Sequence, residues 1–227
     1  MSREHIKQAF NLAAKNYDKI KVRIIPKYRE MEKLVLRYLS FPRSKRINIL
    51  ELGTGTGALA VQILNCFPQA NYHGIDFSEK MLELASHRLR KFGQRVVLQN
   101  LDLNKRKFTN NSYDLIISLF AIHHIENKKR LFRHLYSILK PRGSLIFADV
   151  TISEDKNLEA SFIKGWKDFM SRSDLTNKKI KMVIEDHRNN DLPETVETQM
   201  KYLKTAGFNS YDIIWRYEKF AVFYAVK

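Results

Sequence analysis

A chain of 227 residues, 44% of them hydrophobic, is long enough for a substantial core, and its single cysteine, Cys66, excludes an internal disulfide or a multi-cysteine metal cluster. The formal charge of +16 is concentrated: residues 1–50 hold 13 basic against 4 acidic residues, 86–107 hold 7 against 1, and the remainder nearly cancels. No apolar run reaches membrane-spanning length and residues 1–10 lack the apolar core of a signal peptide, so the composition points to a reducing cytoplasm. The two basic zones could face the phosphates of tRNA, an acidic carrier protein or a lipid surface, or could be solvated helix faces and nothing more.

Residues 6–17 read as a helix, with Ala9, Phe10, Ala13 and Ala14 on its apolar side and Tyr17 at its end. A second helix follows Pro26, marked by Met31, Leu34, Val35 and Tyr38. Tyr17 and Tyr28 stand where an aromatic ring either touches a ligand or packs this segment on the core.

Residues 47–52 form an apolar strand that runs into Gly53-Thr54-Gly55-Thr56-Gly57 and then a helical stretch over 58–67. Glycines there let the backbone approach a ligand while the free N–H groups of the new helix face it. The next strand, 71–75, ends on Asp76, where a carboxylate can hold ribose hydroxyls. This spacing predicts a nucleoside cofactor over the carboxyl ends of the first two strands. Gly53, Gly55 and Ala58 also satisfy a loose dinucleotide pattern, so the loop alone leaves an NAD reading open. Glu51 adds a carboxylate suited to a cationic group, such as the amino group of a methionine moiety.

Ser78 is placed to cap a helix over 79–90, and strands follow at 95–99 and 113–119. Asp102 lies just after the first of these. The loop 118–125 falls at the switch point of a doubly wound sheet, where such folds bind ligands. It carries His123 and His124, either of which could take a proton from an acceptor. Adjacent side chains are expected to point apart, and no third ligand has helpful spacing, so the pattern predicts no metal. A helix over 128–139, a turn at 140–143 and a strand over 144–149 come next. The helical excursion 151–193 sets Phe162, Trp166, Phe169 and Met170 on one face, and a connection this long is expected to cover the pocket as a lid. A helix over 195–206, stopped by Gly207, precedes strands at 211–217 and 220–226. Their short turn makes them antiparallel, unlike the all-parallel sheet of NAD-binding proteins.

Residues 50–57, Leu-Glu-Leu-Gly-Thr-Gly-Thr-Gly, resemble the first motif of the class I S-adenosylmethionine-dependent methyltransferases, and Gly74 to Leu82 resembles the second. Phe10-x-x-x-Ala14-x-x-Tyr17-Asp18 is similar to the N-terminal cap of small-molecule members, and Leu139-Lys140-Pro141-x-Gly143 to the turn before their fifth strand. Leu203-x-x-Ala206-Gly207-Phe208 and the stretch 215–223 look like small microbial members. A weaker likeness reaches the carboxy-S-adenosylmethionine synthases of wobble-uridine tRNA modification.

The resemblance implies an α/β, Rossmann-like fold with a seven-stranded mixed sheet whose last strand is antiparallel. One methyltransferase domain would comprise a helical cap (1–44), a cofactor-binding core (45–150), a helical lid insertion (151–193) and a C-terminal helix with a hairpin (194–227). It implies S-adenosyl-L-methionine as cofactor, held by Glu51, Gly53, Thr54, Gly55, Gly57, Asp76, Phe77, Met81, Asp102 and Leu119, with Asp102 accepting from the adenine amino group. Tyr17, His123 and His124 are the candidates for catalytic contact. The chain lacks an Asn-Pro-Pro-Tyr type sequence after the fourth strand, which speaks against methylation of adenine or glutamine nitrogens. The expectation is methyl transfer to a small-molecule acceptor. The alternatives are a tRNA-modification enzyme and a non-catalytic protein that binds the same cofactor.

Overall fold

The computed structural model describes residues 3–103 and 112–227. The basic zone expected over 86–107 therefore runs partly outside the described residues, as do Met1 and Ser2.

Eight strands among the described residues build one mixed sheet: β1 (Asn48–Leu52), β2 (Asn71–Asp76), β3 (Val96–Asn100), β4 (Tyr113–Leu119), β5 (Leu139–Ile152), β6 (Glu194–Thr195), β7 (Ser210–Tyr217) and β8 (Phe220–Val226). Their order is β3-β2-β1-β4-β5-β8-β7, with β6 beside the end of β5. Strands β1 to β5 are parallel, and β8 runs antiparallel to both β5 and β7. The reversal of order between β1 and β4 opens a crevice above Leu52 and Ser118, which are register partners. Phe147 of β5 and Phe223 of β8 stack with ring centroids 4.6 Å apart and pin the antiparallel pair.

Both faces of the sheet are covered, which is why β1, β4 and the later part of β5 are buried in continuous runs rather than at alternate positions. On one face lie α4 (Ala58–Cys66), α5 (Glu79–Leu89) and the N-terminal helices; on the other, α6 (Lys128–Ile138) and α9 (Val196–Ala206) bury Phe132, Leu135 and Leu203.

The structure corrects several local expectations. The segment before β1 holds three helices, α1 (Arg3–Ala13), α2 (Tyr17–Ile24) and α3 (Tyr28–Arg37), and a short 3-10 turn, Ala14–Asn16, separates the first two. Tyr17 thus opens a helix instead of ending one. The residues 140–143 expected to be a turn form a bulge inside β5: its pairing with β4 steps from Tyr113 opposite Leu139 to Leu115 opposite Ser144, and Arg142 has φ of 63°. The lid segment forms α7 (Lys156–Ser171) and α8 (Asn177–Asn190), capped by the side chains of Asp155 and Thr176. Trp166 and Met170 are buried against the core, so packing explains much of that aromatic stripe. The two-residue strand β6 was not expected.

Candidate functional site

At the end of β1 the chain turns sharply, and the backbone N–H groups of Gly53 and Thr54 both donate to the Ile75 carbonyl, at 2.8 and 2.9 Å. Gly53, Gly55 and Gly57 all take left-handed φ, at 71°, 53° and 73°. Their surroundings differ. A Cβ on Gly53 would fall 2.5 Å from Cβ of Ala121, so this glycine lets the loop meet the loop after β4. A Cβ on Gly57 would press on Ala85 and Leu89 of α5, making it a packing glycine rather than one that admits a ligand. Only Gly55 of the three has open space where its side chain would be.

Nine of the ten residues expected to hold the cofactor line one cleft above the crevice, and Gly57 is the one that does not. Asp76 accepts from the backbone N–H of Gly55 at 2.8 Å and of Ser78 at 2.9 Å, which ties the tip of β2 to the glycine loop and to α5. Burial raises its carboxyl to about 6, against the pull of those backbone donors. Glu51 is almost fully buried, hydrogen-bonded by the Tyr72 hydroxyl and, at 3.3 Å, by Thr54. Burial raises it to about 7, again opposed by its hydrogen bonds. Asp102, Phe77, Met81 and Leu119 complete the cleft wall.

The N-terminal helices close this cleft through contacts the sequence did not reveal. Asn11 accepts from the Ser78 hydroxyl at 2.6 Å, docking α1 on the start of α5. Asp18 of α2 accepts from Thr56 at 2.9 Å and from Arg88 at 2.7 Å, clamping α2 on the glycine loop. Tyr17, Lys21, Tyr28 and Phe10 then form the roof. Lys21 Nζ lies 4.9 Å from the Tyr28 ring centroid and 3.0 Å from Asp18, a largely buried ammonium on the cleft wall. Burial holds the Tyr17 and Tyr28 hydroxyls well above the usual phenol range.

A second cavity lies against α7 and α8, lined by Trp166 of α7 and by Lys179, Val183, Asp186 and His187 of α8. It shares Phe10, Tyr17, Lys21, Phe120 and His124 with the first cleft. His123 bonds to Asp149 of β5, and the Asp191 carboxylate lies beside both histidines. Burial lowers His123, but the Asp149 and Asp191 carboxylates outweigh it and bring the residue to about 9. Burial and the neighbouring His123 push His124 down to about 3, leaving it a neutral imidazole. The premise that these histidines point apart is overturned: their ring centroids lie 4.1 Å apart. Asp191, remote in sequence, supplies the neighbouring carboxylate that spacing along the chain did not reveal.

The chain can be set beside known proteins. A family profile described as a methyltransferase domain matches residues 50–145. A carboxy-S-adenosyl-L-methionine synthase from Nautilia profundicola is 27% identical over 213 residues, 93% of this chain and 90% of that protein. A malonyl-[acyl-carrier protein] O-methyltransferase from Ilyobacter polytropus is 33% identical over 179 residues, 72% of this chain and 66% of the other. Among solved structures, a phosphoethanolamine N-methyltransferase 2 from Haemonchus contortus, in complex with S-adenosyl-L-methionine, superposes with a TM-score of 0.71 at 18% identity. That match covers 96% of this chain and 57% of the nematode chain, so this chain spans little more than half of that protein. No helix among the described residues is long and apolar enough to cross a membrane. With the sheet order, the glycine loop and the two strand-end acids, these matches show that the chain belongs to the class I S-adenosylmethionine-dependent methyltransferases.

Proposed function

We propose that this enzyme methylates a small-molecule acceptor held in the lid-covered cavity, with S-adenosyl-L-methionine in the cleft beside it. The observation that carries this reading is the shared wall: Phe10, Tyr17, Lys21, Phe120 and His124 border both cavities, so a ligand in one meets a ligand in the other. The cleft suits the cofactor on its own chemistry. Glu51 offers a buried carboxylate to the methionine amino group, Asp76 keeps unused lone pairs for ribose hydroxyls, and the open space at Gly55 admits a close approach.

When bound, S-adenosyl-L-methionine would supply an electrophilic methyl group, with the neutral thioether as its leaving group. The chain has little covalent work to do. Its aromatic roof and lid exclude water and orient the acceptor, an effect that can amount to about 7 to 11 kcal/mol when the alignment is good. His124, a neutral imidazole on the shared wall, is positioned to hydrogen-bond the acceptor and fix its orientation.

Methyl groups labelled in the cofactor should pass to members of a panel of small amines, carboxylic acids and phosphate esters, and not to bulk tRNA. Label recovered in tRNA, and in none of the small molecules, would overturn the reading. A second reading, synthesis of a carboxylated cofactor, draws support from the near full-length likeness to carboxy-S-adenosyl-L-methionine synthases and from the buried Lys21 ammonium, which could hold an added carboxylate. The mass of the ligand released from purified protein separates the two.

A further inference from the structure

On the wall of the second cavity His123, His124 and Asp191 bring two imidazoles and a carboxylate together. One donor atom from each can be chosen so that all three lie within 4.8 Å of one another. Asp191 Oδ1 stands 3.7 Å from His123 Nε2 and 3.4 Å from His124 Nδ1. His124 Nδ1 makes no hydrogen bond although it is shielded from solvent. Buried ring nitrogens left without a partner are uncommon and call for one. Donors about 2.0 to 2.2 Å from a divalent metal sit roughly 3.0 to 3.5 Å from each other, near the two separations seen.

The surroundings are those of metal ligands. Asp149, fully buried, bonds to His123 Nδ1 and leaves Nε2 toward Asp191. Asp191 Oδ2 is held at 2.8 Å by Nδ1 of His187, whose Nε2 accepts from Lys219 at 3.0 Å, and Lys219 in turn donates to Glu159 at 2.8 Å. Such outer partners fix the tautomer and orientation of ligating groups. The backbone joins in: Leu192 N–H donates to the His123 carbonyl at 2.8 Å and keeps Asp191 beside the histidines. All three residues line the cavity under the lid, so a bound cation would keep a position open toward it.

We propose that His123, His124 and Asp191 bind one divalent transition-metal ion of the zinc, manganese or iron(II) class. Two imidazoles and one carboxylate suit these borderline cations. If the lid cavity holds the acceptor, a clause that rests on the function proposed above, the ion would hold an acceptor oxygen or nitrogen as a Lewis acid.

The test uses full-length protein stripped with a chelator, dialysed and titrated with Co²⁺, then Zn²⁺. One cobalt per chain should bind, with visible ligand-field absorption that zinc abolishes. Asp191→Asn and His124→Gln should each weaken cobalt binding at least about 100-fold, and His187→Gln about 10- to 100-fold. Circular dichroism checks that each variant is folded. The wild-type imidazole resonances give a readout without variants, because those of His123 and His124 should be the ones displaced by the paramagnetic ion. No saturable binding, binding unchanged in folded Asp191→Asn and His124→Gln, or displacement confined to a surface histidine such as His87 would overturn the site. None of these readouts needs methyl transfer, so failure here leaves the proposed function standing, whereas loss of S-adenosyl-L-methionine binding would strike that function alone.

Discussion

The backbone N–H of Gly55 donates to Oδ2 of Asp76 at 2.8 Å, so the tip of β2 braces the glycine loop that follows β1. The other oxygen of Asp76 accepts from Ser78, the cap of α5. Replacing the carboxylate leaves both donors without their partner and removes a ribose acceptor. Asp76→Ala should therefore lower stability by about 1 to 3 kcal/mol and weaken S-adenosyl-L-methionine binding about 10- to 100-fold. Urea unfolding and calorimetric titration measure the two effects, and unchanged affinity would remove Asp76 from the cofactor site.

Glu51 should make cofactor binding depend on pH. Burial raises its carboxyl from 4.5 to about 7, so the folded protein holds the proton more tightly than the unfolded chain does. Its contribution to stability is thus complete below about pH 4.5 and is lost as pH rises through about 7. A cationic ligand favours the opposite, ionised form. S-adenosyl-L-methionine should accordingly bind more tightly as pH rises from about 6 to 8. Glu51→Gln, neutral throughout, should bind more weakly and flatten that profile; a variant with the wild-type profile would assign the dependence to another group.

The three glycines of the loop should respond differently to alanine. Gly53→Ala sets a methyl 2.5 Å from Ala121 in a left-handed conformation, so clash and backbone strain combine to about 2 to 4 kcal/mol. Gly55→Ala meets no atom within 4 Å and carries the backbone strain alone, roughly 1 kcal/mol. Adding Ala121→Gly to Gly53→Ala should recover the clash and not the strain. Equal destabilisation of the Gly53 and Gly55 variants in thermal unfolding would contradict this account of the loop.

Trp166 joins the lid to the N-terminal helices, donating from Nε1 to the Ile24 carbonyl at 2.6 Å while its ring meets Phe220 and His187 edge on. Trp166→Phe keeps most of the apolar contact and loses the hydrogen bond, a cost of about 1 kcal/mol; Trp166→Ala should cost about 3 to 5 kcal/mol. Amide exchange should quicken in α2 and α7 together. Exchange that changed in α7 only would mean that the two elements are not coupled through this residue.

What the sequence showed and what it hid divides by distance along the chain. The strand, glycine loop and strand-end acid around Gly53, Gly55 and Asp76 are contiguous, so their chemistry and spacing could be read directly. The terminal hairpin was equally plain, because Glu218 and Lys219 leave no room for a crossover. Gly57 looked like its neighbours, and only the approach of Ala85 and Leu89 shows it to be a packing position. The clamp of Asp18 on Thr56 and Arg88 needs α2 and α5 to meet, which no local pattern announces. The grouping of His123, His124 and Asp191 likewise depends on how the lid folds back over the sheet. Strand β6, two residues long, carries no periodicity to detect.

The most direct test is calorimetric titration of the purified protein with S-adenosyl-L-methionine, repeated with Asp76→Ala and Glu51→Gln. One equivalent should bind per chain, and both substitutions should weaken it without unfolding the protein. Absence of binding, or binding at full strength in both variants, would contradict the assignment of this cleft to the cofactor.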